Sequence, residues 1–114
     1  MVQYSPEEQL DRTFAALADP TRRDILVRVG RGAATISELA EPHGISLTGM
    51  KKHVQVLEDA QLVTTEKVGR ARVCRPGPAR LEDVAAWMAA YRQMVETRMD
   101  RLGELLERTK EQSP

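Results

Sequence analysis

A chain of 114 residues, 41% hydrophobic and 30% charged, has the composition of a globular rather than a disordered protein and length for one modest core but not two. The longest charge-free run in its C-terminal half, residues 84–91, is far short of the ~20 residues of a membrane span. No basic segment with an apolar stretch opens the chain, and the lone Cys74 cannot pair internally, so the expectation is a protein of the reducing cytoplasm.

The net charge is zero, but it is segregated. Residues 1–45 and 81–114 each hold five basic and seven acidic side chains, whereas residues 46–80 hold seven basic and three acidic ones, a balance of +4. A basic middle third suits a local grip on a polyanion. The four aromatics are Tyr4, Phe14, Trp87 and Tyr91, so the core is expected to be aliphatic.

Ser5, Pro6 and Glu8 form the capping box of a first helix, on which Leu10, Phe14 and Leu17 recur at helical spacing. Asp19 and Pro20 start a second helix, with Ile25, Leu26 and Val29 facing inward and Gly30 and Gly32 ending it. Thr35 to Glu38 forms another capping box, opening a short helix with Ile36, Leu39 and Ala40 as its apolar stripe. Pro42 and Gly44 stop it, Ile45 is the expected plug of the turn, and Ser46 caps the next helix, whose apolar side is Met50, Val54 and Leu57. Two short helices about a tight turn, over about residues 36–60, make a helix-turn-helix. A rise in β-branched residues with Gly69-Arg70 between two runs predicts a β-hairpin over about 62–75.

The last helix is expected from about 81 to 108. Val84, Met88, Tyr91, Val95, Met99, Leu102 and Leu106 are spaced 4, 3, 4, 4, 3 and 4, close to the helical period, so one face stays apolar throughout, with Trp87 beside it. The fold class is therefore mainly α with a small β-hairpin wing: a winged helix-turn-helix with long terminal helices, forming a single domain over 1–114.

On the helix capped by Ser46, the side away from the core carries Thr48, Lys51, Lys52 and Gln55, with Gly49 leaving room for close approach. Taken alone, these lysines read equally well as a solvated face. Their helix, however, stands second in a helix-turn-helix, the position that enters the major groove of DNA, and the hairpin after it carries Lys67, Arg70 and Arg72. Together these features make double-stranded DNA the expected partner. Lys51 and Lys52 would bind phosphates or guanine edges, Thr48 and Gln55 would read bases, and Arg70 and Arg72 would act at the wing. His53 has two readings of equal weight, a donor to phosphate or a histidine packed against neighbouring helices. Arg22 and Arg23 either reach backbone phosphate or pair with Asp19 or Asp24.

The segments FAALADPTRRDIL (14–26), ISELAEPHGIS (36–46), KHVQVLEDAQLV (52–63) and GRARVCR (69–75) resemble those of the ArsR-type winged-helix transcriptional repressors. The likeness extends over nearly the whole chain, including the last helix (87–106), and is nearest to a branch without the metal-binding cysteines. The resemblance implies a homodimer that sits on a palindromic operator and blocks transcription, often of its own operon. The family usually has Ser-Lys-His where this chain has Lys51-Lys52-His53, a small pair such as Pro-Ala in place of Thr48-Gly49, and Gly in place of Gln61. These departures touch the base-reading surface, so no operator sequence carries over.

Self-association is expected through Val84, Trp87, Met88, Tyr91, Val95, Met99, Leu102 and Leu106 together with Leu10, Phe14 and Leu17; the alternative is packing of the same stripe within its own chain. No cofactor is expected. Residues 36–43 lack cysteine and the last helix lacks histidine and cysteine, which argues against a transition-metal site. Asp100, Glu104 and Glu107 read as a solvated face near Arg101 and Arg108, and Cys74 as buried packing rather than a thiol switch. An organic effector site near Trp87 and Tyr91 has no polar constellation behind it. No catalytic set appears, so an enzyme is the poorest reading and a winged-helix protein-interaction module the main alternative to a DNA-binding repressor.

Overall fold

The computed structural model describes residues 4–79 and 81–111, which form two units divided after residue 80. The first carries helices α1 (Pro6–Leu17), α2 (Pro20–Arg31), α3 (Ile36–Ala40) and α4 (Leu47–Asp59) and strands β1 (Ala34–Thr35), β2 (Val63–Val68) and β3 (Ala71–Pro76). The second is helix α5 (Glu82–Glu111).

The helix starts are where the caps place them. Ser5 Oγ accepts the Glu8 N–H at 3.2 Å, and Asp19 Oδ1 accepts the N–H groups of Thr21 and Arg22 at 2.8 and 3.2 Å. Ser46 Oγ accepts the Gly49 N–H at 3.0 Å. At α3 the capping box is complete, with Thr35 Oγ1 accepting from the Glu38 N–H and a Glu38 carboxylate oxygen accepting from the Thr35 N–H. Each cap satisfies donors that the first helical turn leaves without partners.

Ile25, Val29, Met50, Leu57, Val63 and Cys74 form the deepest part of the core, all wholly buried. The apolar side expected for α4 is buried throughout, Met50, Val54 and Leu57, each worth roughly 1.5–3 kcal/mol. On α1 the structure departs from the pattern. Thr13 and Ala16 are its buried residues, while Leu10, Phe14 and Leu17 are half-buried. Small side chains let α1 approach the end of α4, where the Gln9 amide donates to the Ala60 carbonyl at 2.7 Å. The bulkier stripe is left on the flank.

Ile45 is not the plug of the turn. It is 36% exposed, and the buried residues at that corner are Leu39 and Ala40. The turn itself is a 3-10 segment over Glu41–His43, reversed by Gly44 at φ 62°, a left-handed conformation that glycine adopts without strain.

Strand β1 is a further element beyond the expected hairpin. Its two residues pair antiparallel with β3, Ala34 opposite Cys74 and Thr35 opposite Val73, so among the described residues the sheet runs β1-β3-β2. Two residues are too few to show an alternating pattern. The hairpin expected over 62–75 occupies 63–76, turning at Gly69 with φ 61° and pairing Val68 with Ala71 and Lys67 with Arg72.

Between α4 and β2 the chain makes a Schellman turn. The Gln61 N–H bonds the Glu58 carbonyl and the Leu62 N–H bonds the Leu57 carbonyl, both at 2.9 Å, with Gln61 at φ 63°. This is the position where the resembling family usually has Gly, and here a residue with a Cβ holds the left-handed conformation. Residues beyond β3 return to the same turn: the Gly77 N–H bonds the Leu62 carbonyl and the Ala79 N–H the Gln61 carbonyl, both at 2.9 Å. A Cβ at Gly77 would collide with the backbone of Gln61 and Val63.

Helix α5 spans 82–111 rather than 81–108. Val84 is buried, but Trp87, Met88, Tyr91, Val95, Met99, Leu102 and Leu106 of the expected stripe are all exposed, by 37% to 63%. The rings of Trp87 and Tyr91 stack in parallel with centroids 5.6 Å apart. No described helix is long and apolar enough to cross a membrane.

Two substitutions test this account. Gln61→Gly relieves the left-handed strain at an exposed site and raises stability by about 0.5–1 kcal/mol, net of the extra chain entropy of glycine. Gly77→Ala forces the backbone apart and lowers stability by more than about 1 kcal/mol. Urea denaturation monitored by circular dichroism measures both.

Candidate nucleic-acid interface

Burying Met50, Val54 and Leu57 sets the rotation of α4, and its remaining rows then face three ways. Leu47 and Lys51, one turn apart, face the wing and line a cleft of about 500 Å³ with Lys67, Arg70 and Arg72 of the hairpin and Ser37 of α3. Gly49 and His53 lie on the side of α2, where His53 Nδ1 is 3.4 Å from an Arg22 Nη. Thr48 and Lys52 lie between these rows and are exposed.

Among the described residues the cleft gathers four cations, one from α4 and three from the hairpin that follows it, and no carboxylate. Acids nearby are engaged elsewhere. Glu58 accepts the Thr65 hydroxyl, Asp59 accepts the Gln55 amide at 2.9 Å, and Glu66 pairs with Arg75. The first turn of α4 carries no acid, so the positive end of its dipole adds to the same field.

The expected contact residues are thus in differing states. Lys51, Lys52, Thr48, Lys67 and Arg70 are exposed. Arg72 is exposed too, but one of its Nη atoms donates to Thr65 Oγ1 at 2.9 Å, and it lines a second cleft with Gln55 and Glu58, so it also braces the wing against α4. Gln55 is exposed and its amide donates to Asp59 at 2.9 Å. The Ser46 hydroxyl accepts within its own helix and keeps its proton for an outside acceptor. At Gly49 a Cβ would sit 3.3 Å from Ser46 Oγ, so the missing side chain serves the cap.

Arg22 packs against the end of α1. It is a structural residue, its side chain 17% exposed. Nε donates to the Ala16 carbonyl at 2.8 Å and one Nη to the Ala15 carbonyl at 3.0 Å, while the other lies 4.0 Å from Asp19. Arg23 donates to the Leu17 carbonyl at 2.7 Å. The two arginines therefore satisfy carbonyls at the C-terminus of α1, where positive charge also suits the dipole. Because a guanidinium only donates, the Arg22 contact makes His53 Nδ1 an acceptor, which leaves the ring proton of neutral His53 on Nε2. Sequence reasoning placed His53 on the helix but could not find this partner, 31 residues away.

Cys74 is wholly buried on β3. Desolvation pushes its thiol pKa up, the Glu58 charge adds to this, and Arg72 opposes it, so the thiolate needed for redox chemistry is disfavoured. Among the described residues no group of three or more His, Cys, Asp or Glu side chains is arranged to hold a metal ion. In the carboxylate row of α5, Glu104 lies 4.0 Å from Arg108.

A family profile described as a helix-turn-helix domain matches residues 17–66. The chain is similar to the HTH-type transcriptional regulator Rv2034 of Mycobacterium tuberculosis, 38% identical over 71 residues that make up 62% of this chain and 66%, just under two thirds, of that protein. It is similar to the transcriptional repressor SdpR of Bacillus subtilis, 29% identical over 82 residues, 72% of this chain and 91% of that protein. A crystal structure of an ArsR family transcriptional regulator is 45% identical, with a TM-score of 0.72, covering 84% of this chain and 97% of that one.

Asp19 yields a pH prediction. Partial desolvation raises its pKa, but the Arg22 and Thr21 N–H donors and the charges of His53 and Arg22 outweigh this and hold the carboxyl below its ordinary value near 3.8. A depressed carboxyl contributes stability that is present above the ordinary value and lost as pH falls through the lowered one. Asp19→Asn keeps a capping oxygen and removes the charge, so the gap in stability between wild type and variant narrows on acidification below about pH 4. Thermal melts at a series of pH values read this gap; a gap of constant size would show that the charge contributes nothing.

Proposed function

This chain belongs to the ArsR family of transcriptional regulators, and from that premise we propose that it is a homodimeric, sequence-specific repressor of its own or a neighbouring operon, acting on a palindromic operator in double-stranded DNA. The observation that supports this reading most directly is the cleft between α4 and the wing, where Lys51, Lys67, Arg70 and Arg72 meet without a carboxylate. A polyanion is the partner that such a cleft fits.

In this reading α4 enters the major groove. Lys51 and Lys52 neutralise phosphates or reach guanine edges, Thr48 meets base edges, and the Ser46 hydroxyl donates to backbone oxygens. Gly49 keeps the cap of α4 tight. The wing, through Lys67 and Arg70, follows the neighbouring phosphates, while Arg72 divides its donors between Thr65 and the duplex. His53 donates from Nε2 to a phosphate because Arg22 occupies its other nitrogen. Gln55 exchanges Asp59 for a base when the helix is seated.

One such helix reads too few base pairs to single out an operator. Two related by a twofold axis read successive major grooves about 34 Å apart, and their symmetry is that of a palindrome. The exposed face of α5, from Trp87 to Leu106, supplies apolar surface for the second copy, while Val84, expected in the same stripe, is already buried within the chain. Leu10, Phe14 and Leu17, half-buried on α1, offer more. Water-exposed apolar surface on this scale is costly until a second molecule covers it. Occupancy of the operator then excludes the transcription machinery.

Two measurements test the proposal. With Lys51→Ala and Lys52→Ala combined, affinity for the operator falls and the slope of log K against log salt shrinks by about two, since each lost phosphate contact removes about 0.9. Unchanged affinity and slope would transfer these residues to a merely solvated face and favour a protein-interaction module. Val95→Glu with Leu102→Glu converts a dimer to a monomer in analytical ultracentrifugation; an intact dimer would move the interface off α5.

A further inference from the structure

The cleft is not lined by cations and polar groups alone: Ile36, Leu47 and Ala71 line it too, and Leu47 is the large apolar one that is exposed. Leu47 opens α4 and is 49% exposed, whereas Met50, Val54 and Leu57 of the same helix are buried, and Val56, 38% exposed, does not line the cleft. Single exposed leucines are ordinary on protein surfaces, so exposure alone says little. Its position says more. Leu47 lines the cleft with Lys51, Lys67, Arg70, Arg72 and Ser37, one helical turn before Lys51 on the same row.

The N-terminal residues of a recognition helix are those that meet base edges. Cations in the cleft attract phosphates whatever the sequence, whereas a leucine has nothing to offer a phosphate. In the major groove one base carries apolar surface, the C5-methyl of thymine. Cytosine at the same position lacks the methyl and presents an N4–H donor that a leucine cannot accept.

Resting on the DNA-binding reading above, we infer that Leu47 is a specificity-determining residue that selects a thymine in each operator half-site through its C5-methyl group. Lys51 holds the backbone or a guanine beside it, and Leu47 makes the choice of base. Its exposure in the free protein is the state before the methyl covers it.

The test replaces one atom group in the DNA. Duplexes are first selected by the wild-type protein from a randomised pool, and each thymine of the selected half-site is then replaced by deoxyuridine, which lacks only the methyl. The expected result is a three- to fourfold loss of wild-type affinity at one thymine per half-site, the effect of about one buried methyl group. Leu47→Ala binds thymine and deoxyuridine duplexes equally, and Leu47→Asn shifts the base selected at that position. Both variants keep the wild-type melting temperature, because the side chain lies outside the core. Selection of a site with no methyl-sensitive thymine, or methyl sensitivity that survives in Leu47→Ala, overturns this inference and leaves DNA binding standing. Failure of the wild type to select any duplex at low salt overturns the DNA-binding reading itself.

Discussion

Seating the apolar side of α4 is the constraint on which the rest of this structure depends. Met50, Val54 and Leu57 occupy one stripe of the helix, and at 3.6 residues per turn their burial leaves no rotational freedom. The Leu47–Lys51 row must then face the wing, the Gly49–His53 row must face α2, and Thr48 with Lys52 must face outward. Rotating the helix to redirect any of these would bring three buried side chains into water, at roughly 1.5–3 kcal/mol each. The surface chemistry of the helix is in this sense a by-product of its core.

The two ends of α4 are held by different means. At its start, Ser46 caps and Gly49 keeps the cap close. At its end, the Schellman turn at Gln61 redirects the chain into β2, and Gly77 and Ala79 tie the exit of β3 back to that turn. The hairpin is therefore fastened to the helix whose surface it extends. Arg72 adds a side-chain brace, bonding Thr65, which in turn bonds Glu58 of α4. Electrostatic field follows from this geometry: a chain with no net charge presents a cleft lined by cations because Glu58, Asp59 and Glu66 lie outside its lining, on other partners.

The same economy of packing shapes the proposed dimer. On α1, Thr13 and Ala16 take the buried positions and leave Leu10, Phe14 and Leu17 half-covered. On α5, which is 30 residues and about 45 Å long, the apolar face from Trp87 to Leu106 keeps its large side chains exposed. Surfaces of this kind are stable in water when a second molecule removes them from it, which is why the proposed duplication of the recognition helix and the burial of these faces are one event.

Much of this was legible in the residues. Capping signals at Ser5, Asp19, Thr35 and Ser46 named the helix starts because a cap acts within four residues. The period of the apolar residues identified α4 and α5, and the segregated charge pointed to the middle third. Sequence by itself determined which helix would carry the lysines, since local spacing decides which residues share a face. Only the tertiary structure decided that β1 joins the sheet, that Arg22 reaches His53, that Arg72 is a brace, and that Leu47 stands among the cations. It also decided which stripe of α1 goes inside, where small residues displaced the larger ones the pattern favoured. Each of these depends on partners that meet only when the elements pack against one another, and the energy that selects them comes from burial and hydrogen bonding rather than from the spacing of residues within one element.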